Sequence, residues 1–242
     1  MKICAAQAKP LKGDINNNIQ GHISLIGPAI AESAGLIIFP ELSITGYEPS
    51  LARELAMKPN DPRLSVFQEM SEQHQVIIGV GIPEEKEGGI AISTVYFLPG
   101  KERMVYSKQY LHGDELPYFI NGREQLYLEV QGNKIAPSIC YELSVPAHAR
   151  VAAMAGANVY LSSVAKTAEG VDKAMLTLSE TAASYGFSVI MANCTGDCDN
   201  FKSDGRSAAW NNRGKLLGQL NNYREGMLIL DTDTDRVTSY YP

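Results

Sequence analysis

The chain has 242 residues, of which 45% are hydrophobic and 20% charged, with twenty-one Gly, twelve Pro, four Cys and one Trp. That composition excludes disordered, collagen-like and disulfide-scaffold classes, which need far more Pro and Gly, more net charge or more Cys. A formal net charge of −6, with no run of Lys and Arg longer than two, argues against a nucleic-acid partner and leaves small molecules as the expected partners.

A chain of this length buries about 70–75% of the surface it exposes when unfolded, enough for a core without metals or disulfides. Cys4, Cys140, Cys194 and Cys198 are too few and too scattered for a secreted framework. Residues 1–30 carry no basic-then-apolar leader, so a reducing, cytoplasmic location is expected. Apolar runs stop at four or five residues, far short of the roughly 20 that a membrane span requires, so no membrane partner is expected.

In chain order, the opening MKICAAQAKP reads as a strand. Asp14 comes next as an N-cap for a helix carrying Ile15, Ile19, Ile23, Ile26 and Ile30 on one face. Leu36 to Phe39 is a buried-type strand that stops at Pro40-Glu41. Asp61-Pro62 starts a helix running to about Gln73, and Val76 to Ile82 is the next strand. This βαβαβ alternation implies helices layered on a sheet.

From residue 90 the pattern changes to hairpins. ISTVYFL and RMVYS flank Pro99-Gly100, and Leu126–Val130 and Lys134–Ile139 flank Gln131-Gly132-Asn133. Pro146 starts an Ala-rich helix to Gly156, Asn158–Ser162 is a strand, Asp172 caps a helix to Tyr185, and Phe187–Ala192 is another strand. SAAW, KLLGQL and GMLILD complete the chain as strands, with Asn211 to Gly214 as a turn. No linker or charge run divides it, so residues 1–242 are expected to form one domain. Ser93, Tyr96, Gly100 and Lys101 share a register with Ser207, Trp210, Gly214 and Lys215, either as two related half-sheets packed face to face or as a chance likeness of two hairpins.

Ligands of α/β proteins gather beyond the carboxyl ends of strands. Three reactive side chains stand directly after such strands: Glu41 after LIIFP, Lys108 after MVYS and Cys140 after KIAPSI. Taken alone, Cys140 fits a buried core thiol as well as a nucleophile. The sharp passage just after it, from strand to a helix at Pro146, is an elbow that presents backbone N–H groups to a developing oxyanion. A catalytic thiol needs a base, either His or a carboxylate. None of His22, His74, His112 and His148 has the company of a cysteine-protease signature, whereas Glu41, shielded by Phe39, Pro40, Leu42 and Tyr47, is placed to have a raised pKa and carry protons. Cys4 reads as core, and Cys194 with Cys198 lack the His partners of a zinc site, so no metal is expected.

These segments resemble the nitrilase-like carbon–nitrogen hydrolases. Phe39-Pro40-Glu41-Leu42-Ser43-Ile44-Thr45-Gly46-Tyr47 looks like their glutamate motif. Tyr106 to Leu111, with Asp114-Glu115 and Tyr118-Phe119 beyond it, is similar to their lysine motif with its trailing second glutamate. Ser138-Ile139-Cys140-Tyr141-Glu142 with Pro146 and Arg150 resembles their cysteine motif, and the order Glu, Lys, Cys agrees. Met191-Ala192-Asn193, Gly205-Arg206-Ser207 and Asn212-Arg213-Gly214 look like downstream landmarks. Ala147, Thr181, Ser184 and Tyr185 depart from the family pattern at positions that bear on helix packing and subunit contact.

The resemblance implies an α/β, four-layer αββα sandwich, assembly into homodimers or larger homo-oligomers, and no cofactor. It implies Cys140 as nucleophile, Glu41 as base, Lys108 with the Tyr141 backbone N–H as oxyanion donors, and Glu115 as the residue orienting Lys108 or the substrate nitrogen. Tyr47, Tyr118, Phe119 and Glu142 are the expected pocket-lining residues. Lys166, Thr167, Glu169 and Arg206 are either specificity contacts or solvated loop residues. The expected activity is amidase action on a small linear amide or carbamoyl compound. A nitrilase using the same residues, or a catalytically idle binding protein keeping the fold, are the other readings. With no synthetase domain or lipid-handling surface in the sequence, the glutamine-fed and acyltransferase branches are set aside.

Overall fold

The computed structural model describes residues 1–242. In its first half, β1 (Lys2–Gln7), α1 (Ile15–Ala31) and β2 (Leu36–Ile38) are followed by the short α2 (Ala52–Leu55), α3 (Ser65–His74), β3 (Ile77–Lys86), β4 (Gly89–Phe97) and β5 (Met104–Ser107). The second half runs β6 (Leu128–Val130), β7 (Asn133–Ile139), α4 (Pro146–Met154), β8 (Val159–Val164), α5 (Ala168–Tyr185) and β9 (Ser188–Asn193). It ends with β10 (Thr195–Cys198), β11 (Phe201–Asp204), β12 (Ala208–Trp210), β13 (Leu216–Gln219), β14 (Gly226–Asp231) and β15 (Arg236–Tyr240).

One sheet has the order β15-β14-β1-β2-β3-β4-β5 and the other β13-β12-β9-β8-β7-β6, with β10-β11 as a separate ribbon. The period-two alternation of side chains sorts each strand between two cores. Ile3, Ala5, Leu36, Ile38, Leu228 and Leu230 of the first sheet meet Ile135, Ile139, Val159, Leu161, Ile190 and Ala192 of the second in a shared inner core. Their neighbours Cys4, Ala6, Ile37, Met227 and Ile229 point the other way, onto Ile19, Leu25, Ile26 and Phe67 of α1 and α3. On the opposite outside, Ala136, Tyr160, Val189 and Met191 pack on Ala149, Ala152, Val171, Leu178 and Ala182 of α4 and α5. Three parallel apolar cores between four layers make the αββα sandwich, and they explain why the central strands read as unbroken apolar runs: both faces are buried.

The two halves share a plan. β1-β2-β3 are parallel and continue into antiparallel β4 and β5; β7-β8-β9 are parallel and continue into antiparallel β12 and β13. The sequence echo falls on corresponding hairpins, β4-β5 and β12-β13, and Gly100 and Gly214 both take positive φ in their turns.

Local signals hold at most element starts. Asp14 caps α1, accepting from the Asn17 N–H at 3.2 Å. Three differ. Asp61-Pro62 opens a 3-10 turn over Pro62–Leu64 before α3, because the Asp61 carboxylate folds back onto Arg63. The expected Asp172 cap lies inside α5; Thr167 caps it instead, accepting from the Gly170 N–H at 3.1 Å, and Asp172 pairs with Arg206. β3 extends four residues beyond the expected Ile82, because its ladder with β4 continues to Lys86 opposite Gly89. No helix is long and apolar enough to cross a membrane.

Candidate active site

The parallel strands of both sheets deliver their carboxyl ends to one place. Glu41 stands three residues past β2, in a loop stitched to β3: the Phe39 N–H donates to the Gly79 carbonyl at 3.0 Å and the Ile44 N–H to the Gly81 carbonyl at 3.0 Å. The Gly81 N–H donates to Ser43 Oγ at 3.2 Å, and Ser43 Oγ meets His22 Nε2 of α1 at 2.9 Å. Burial holds the His22 imidazole neutral, down to about 4, despite the Asn18 carbonyl beside it. Gly81 is required here, since a Cβ would lie 2.4 Å from the Leu42 nitrogen and 2.6 Å from the Pro40 oxygen. Gly81→Ala is therefore expected to cost about 1–3 kcal/mol in a denaturant melt through overpacking. It should also lower turnover by about 100-fold, the typical effect of displacing a reacting group by an ångström; a variant with wild-type stability and turnover would contradict this role.

Lys108 comes directly after β5 and is fully buried, with Nζ 2.7 Å from Glu41 Oε1 and 2.6 Å from Glu115 Oε1. Glu115 is held in turn by the Tyr47 hydroxyl, donating at 3.0 Å to Oε1, and by the His112 N–H, donating at 2.8 Å to Oε2. Burial alone would drive Lys108 toward the neutral amine, but the carboxylates of Glu41 and Glu115 oppose it and keep the ammonium. The second Glu41 oxygen, Oε2, is buried and accepts from no nitrogen or oxygen of the protein, and this carboxylate is near enough to Cys140 for its charge to act on the thiol.

Cys140 begins a 3-10 turn, Cys140–Ser144, directly at the end of β7, with φ +46° in the left-handed region that L residues avoid. Its thiol also points at the Ala165 carbonyl past the end of β8, at 3.8 Å. The Tyr141 N–H lies in the first turn of this segment, where no intrahelical carbonyl reaches it. Burial and the nearby Glu41 push the thiol up to about 12 against the pull of Lys166 and Lys108. Burial also pushes Glu41 up to about 7, although Lys108 opposes it. The resting pair is a neutral thiol beside a carboxylate poised near neutrality, with a permanent cation on its other side.

Glu142, expected to line the pocket, does not. It is fully buried, and its carboxylate accepts from the Ile139 N–H at 2.7 Å, the Gln109 N–H at 2.5 Å and the Tyr106 hydroxyl at 2.8 Å. It ties the strand before the cysteine to the segment after Lys108. Tyr106 also meets His148 Nε2 at 2.8 Å, and His148 Nδ1 meets the Tyr160 hydroxyl at 2.7 Å. With the Tyr106 proton on Glu142, His148 donates from Nε2 and accepts at Nδ1, a neutral ring consistent with burial lowering it to about 4. Sequence reasoning misses this brace; Glu142 two residues after a strand-end cysteine is the one signal for it.

Tyr47 is at the centre, on Glu115. Tyr118, exposed, and Phe119, buried, instead line a groove of about 860 Å³ with Pro49, Arg53, Glu85 and Ile90, whose walls include none of Glu41, Lys108 and Cys140. Cys194 and Cys198 are buried free thiols 3.7 Å apart.

The fold matches that of a solved amidase from the nitrilase superfamily: the amidase from Nesterenkonia sp. AN1, in a form bearing the Michael adduct of acrylamide at its active-site cysteine, matches with a TM-score of 0.87 at 23% identity, over 96% of this chain and 92% of that one. The carbon–nitrogen hydrolase family model matches residues 2–242, and the chain belongs to that family of enzymes. It is 27% identical over 244 residues to the glutamine-dependent NAD(+) synthetase of Acinetobacter baylyi, covering 97% of this chain and 44% of the relative. It is 26% identical over 207 residues to the 2-oxoglutaramate amidase of Bacillus subtilis, covering 84% of this chain and 80% of the relative. The chain thus spans under half the length of the synthetases it resembles, and glutamine-fed enzymes stand beside amidases among the proteins it is similar to.

Proposed function

We propose that the protein is a thiol amidohydrolase that cleaves the non-peptide C–N bond of a small linear amide or carbamoyl compound. The observation that carries this reading is the convergence of a strained strand-end thiol with a nearby buried carboxylate that keeps one oxygen without a protein partner, and a buried ammonium on that carboxylate's other oxygen. The amidases among the relatives agree with it.

Sγ of Cys140 attacks the carbonyl carbon as Glu41 takes the thiol proton, so no free thiolate accumulates. The carbonyl oxygen gains charge, which Lys108 and the Tyr141 N–H stabilise, a contribution of about 3–4 kcal/mol per donor in comparable sites. Glu41 passes its proton to the nitrogen, the C–N bond breaks, and ammonia or an amine leaves a Cys140 thioester. Glu41 then takes a proton from water, the hydroxide adds to the thioester, the C–S bond breaks, and the proton returns to sulfur. Glu115 orients Lys108 throughout. Every step uses side chains and water, so no cofactor is required. We place the enzyme in the cytoplasm as a homo-oligomer of one hydrolase unit per chain; exposed Val151 and Met154 on α4 and Leu176 on α5 supply apolar surface for subunit contact.

A panel of short amides, carbamoyl compounds and nitriles scored for ammonia tests the reading. Release from amides with kcat/KM rising through about pH 7, as Glu41 loses its proton, is the expected result. Release from nitriles but not from the matching amides, or from nothing in the panel, overturns it.

A further inference from the structure

Lys166 stands two residues past β8, the second parallel strand of its half, as Glu41 stands past the second parallel strand of the other. Its backbone is fixed. The Lys166 N–H donates to Asn193 Oδ1 at 3.0 Å, and its carbonyl accepts from the Asp204 N–H at 2.9 Å and from Ser203 Oγ at 3.1 Å. The residue before it, Ala165, offers the carbonyl that faces the Cys140 thiol. The side chain therefore leaves a rigid point next to the nucleophile, and it is half-buried there.

Its ammonium makes no ion pair and no hydrogen bond with the protein. Three carboxylates on the adjoining segments are already taken: Asp204 and Asp172 both pair with Arg206, at 2.8 and 2.9 Å, and Glu169 pairs with Lys173 at 2.7 Å. The ammonium is nonetheless near enough to Cys140 to act on the thiol as Lys108 does. Lys108 spends its charge on two buried carboxylates. Lys166 has no such partner, and a half-buried cation without one favours an anion brought in with the substrate.

We propose that Lys166 is the anchor for a carboxylate at the far end of the substrate, so that the preferred substrates are monoamides of short dicarboxylic acids. The inference rests on the amidase reading and names the substrate class for it. The carboxylate seats on Lys166 while the amide carbon lies at Cys140, and the fixed backbone between the two sets the chain length accepted.

The test has two arms. In the first, kcat/KM is measured for succinamate and glutaramate against the uncharged butyramide and valeramide. Wild type should prefer the charged members by about 10–100-fold, the range of one or two kcal/mol-scale charge-assisted hydrogen bonds. Lys166→Met should erase that preference, mainly through KM, and Lys166→Glu should reverse it in favour of 4-aminobutyramide. Equal losses on charged and uncharged amides would mean that Lys166 only tunes the thiol, and would overturn the proposal. In the second arm, succinamate and glutaramate are titrated by calorimetry into Cys140→Ala protein with and without Lys166→Met. Binding weakened about 10–100-fold by the second substitution supports the anchor even if no amide is turned over, which separates failure of this inference from failure of the amidase reading. Binding absent from Cys140→Ala, or indifferent to Lys166→Met, overturns it.

Discussion

Cys140→Ala is expected to abolish ammonia release while leaving the fold intact. Removing the nucleophile of a comparable covalent hydrolase lowers kcat by about 10⁶-fold, so a loss of 10⁴-fold or more is the outcome to look for above background. The fold should survive because the thiol contributes little packing that alanine cannot replace. Its one polar contact is the long approach to the Ala165 carbonyl, and the elbow is held by Glu142 rather than by sulfur. The strain at φ +46° remains with alanine and is relieved by glycine, so Cys140→Gly should be the more stable of the two. Activity within tenfold of wild type in either variant would remove Cys140 from the chemistry.

The second large effect concerns stability as well as rate. Lys108 lies between Glu41 and Glu115 with all three side chains out of solvent. Lys108→Met leaves two carboxylates facing each other with no cation. Breaking a buried charge cluster in this way costs about 3–5 kcal/mol. Glu41 sets the sign with pH. Its folded pKa is already raised to about 7 by burial with Lys108 beside it, and without the ammonium it must rise further. A carboxyl raised on folding favours the folded state below its unfolded pKa, and that contribution is lost as pH rises through the folded value. The Lys108→Met penalty should therefore be small near pH 4 and grow toward pH 8. Adding Glu41→Gln to Lys108→Met should restore much of the stability at pH 8 and none of the turnover. Urea melts of the single and double variants at both pH values check this; a penalty that is equal at pH 4 and pH 8 would mean the cluster is not the origin of the loss.

Much of the architecture is legible in the sequence because of how the sandwich buries its strands. LIIF and the runs through Tyr160 and Val189 are apolar on both faces, since each has a core on either side. Glu41, Lys108 and Cys140 are conspicuous as reactive residues at the abrupt ends of such runs. The β10-β11 ribbon, TGDC paired with FKSD, is not legible: four-residue strands of Gly, Asp and Ser have no apolar alternation, and the ribbon is held by side-chain bonds such as Ser203 Oγ to the Cys194 carbonyl. β15 escapes notice because, as an edge strand with mostly exposed side chains, it reads as polar tail. At the site, residue type supplies candidates and pairing decides among them. Glu142 and Glu115 are both buried glutamates near the centre, yet one serves four backbone and hydroxyl donors around the elbow and the other serves Lys108. No spacing rule separates those two roles.

The most direct test of the account is whether an acyl group passes through Cys140. Wild-type protein turning over propionamide, quenched in acid within milliseconds and read by mass spectrometry, should carry one propionyl group. The group should map to the tryptic peptide of residues 135–150, be released by hydroxylamine and be missing from Cys140→Ala. Turnover with the acyl group on any other residue, or undiminished ammonia release with Cys140 replaced, would contradict it.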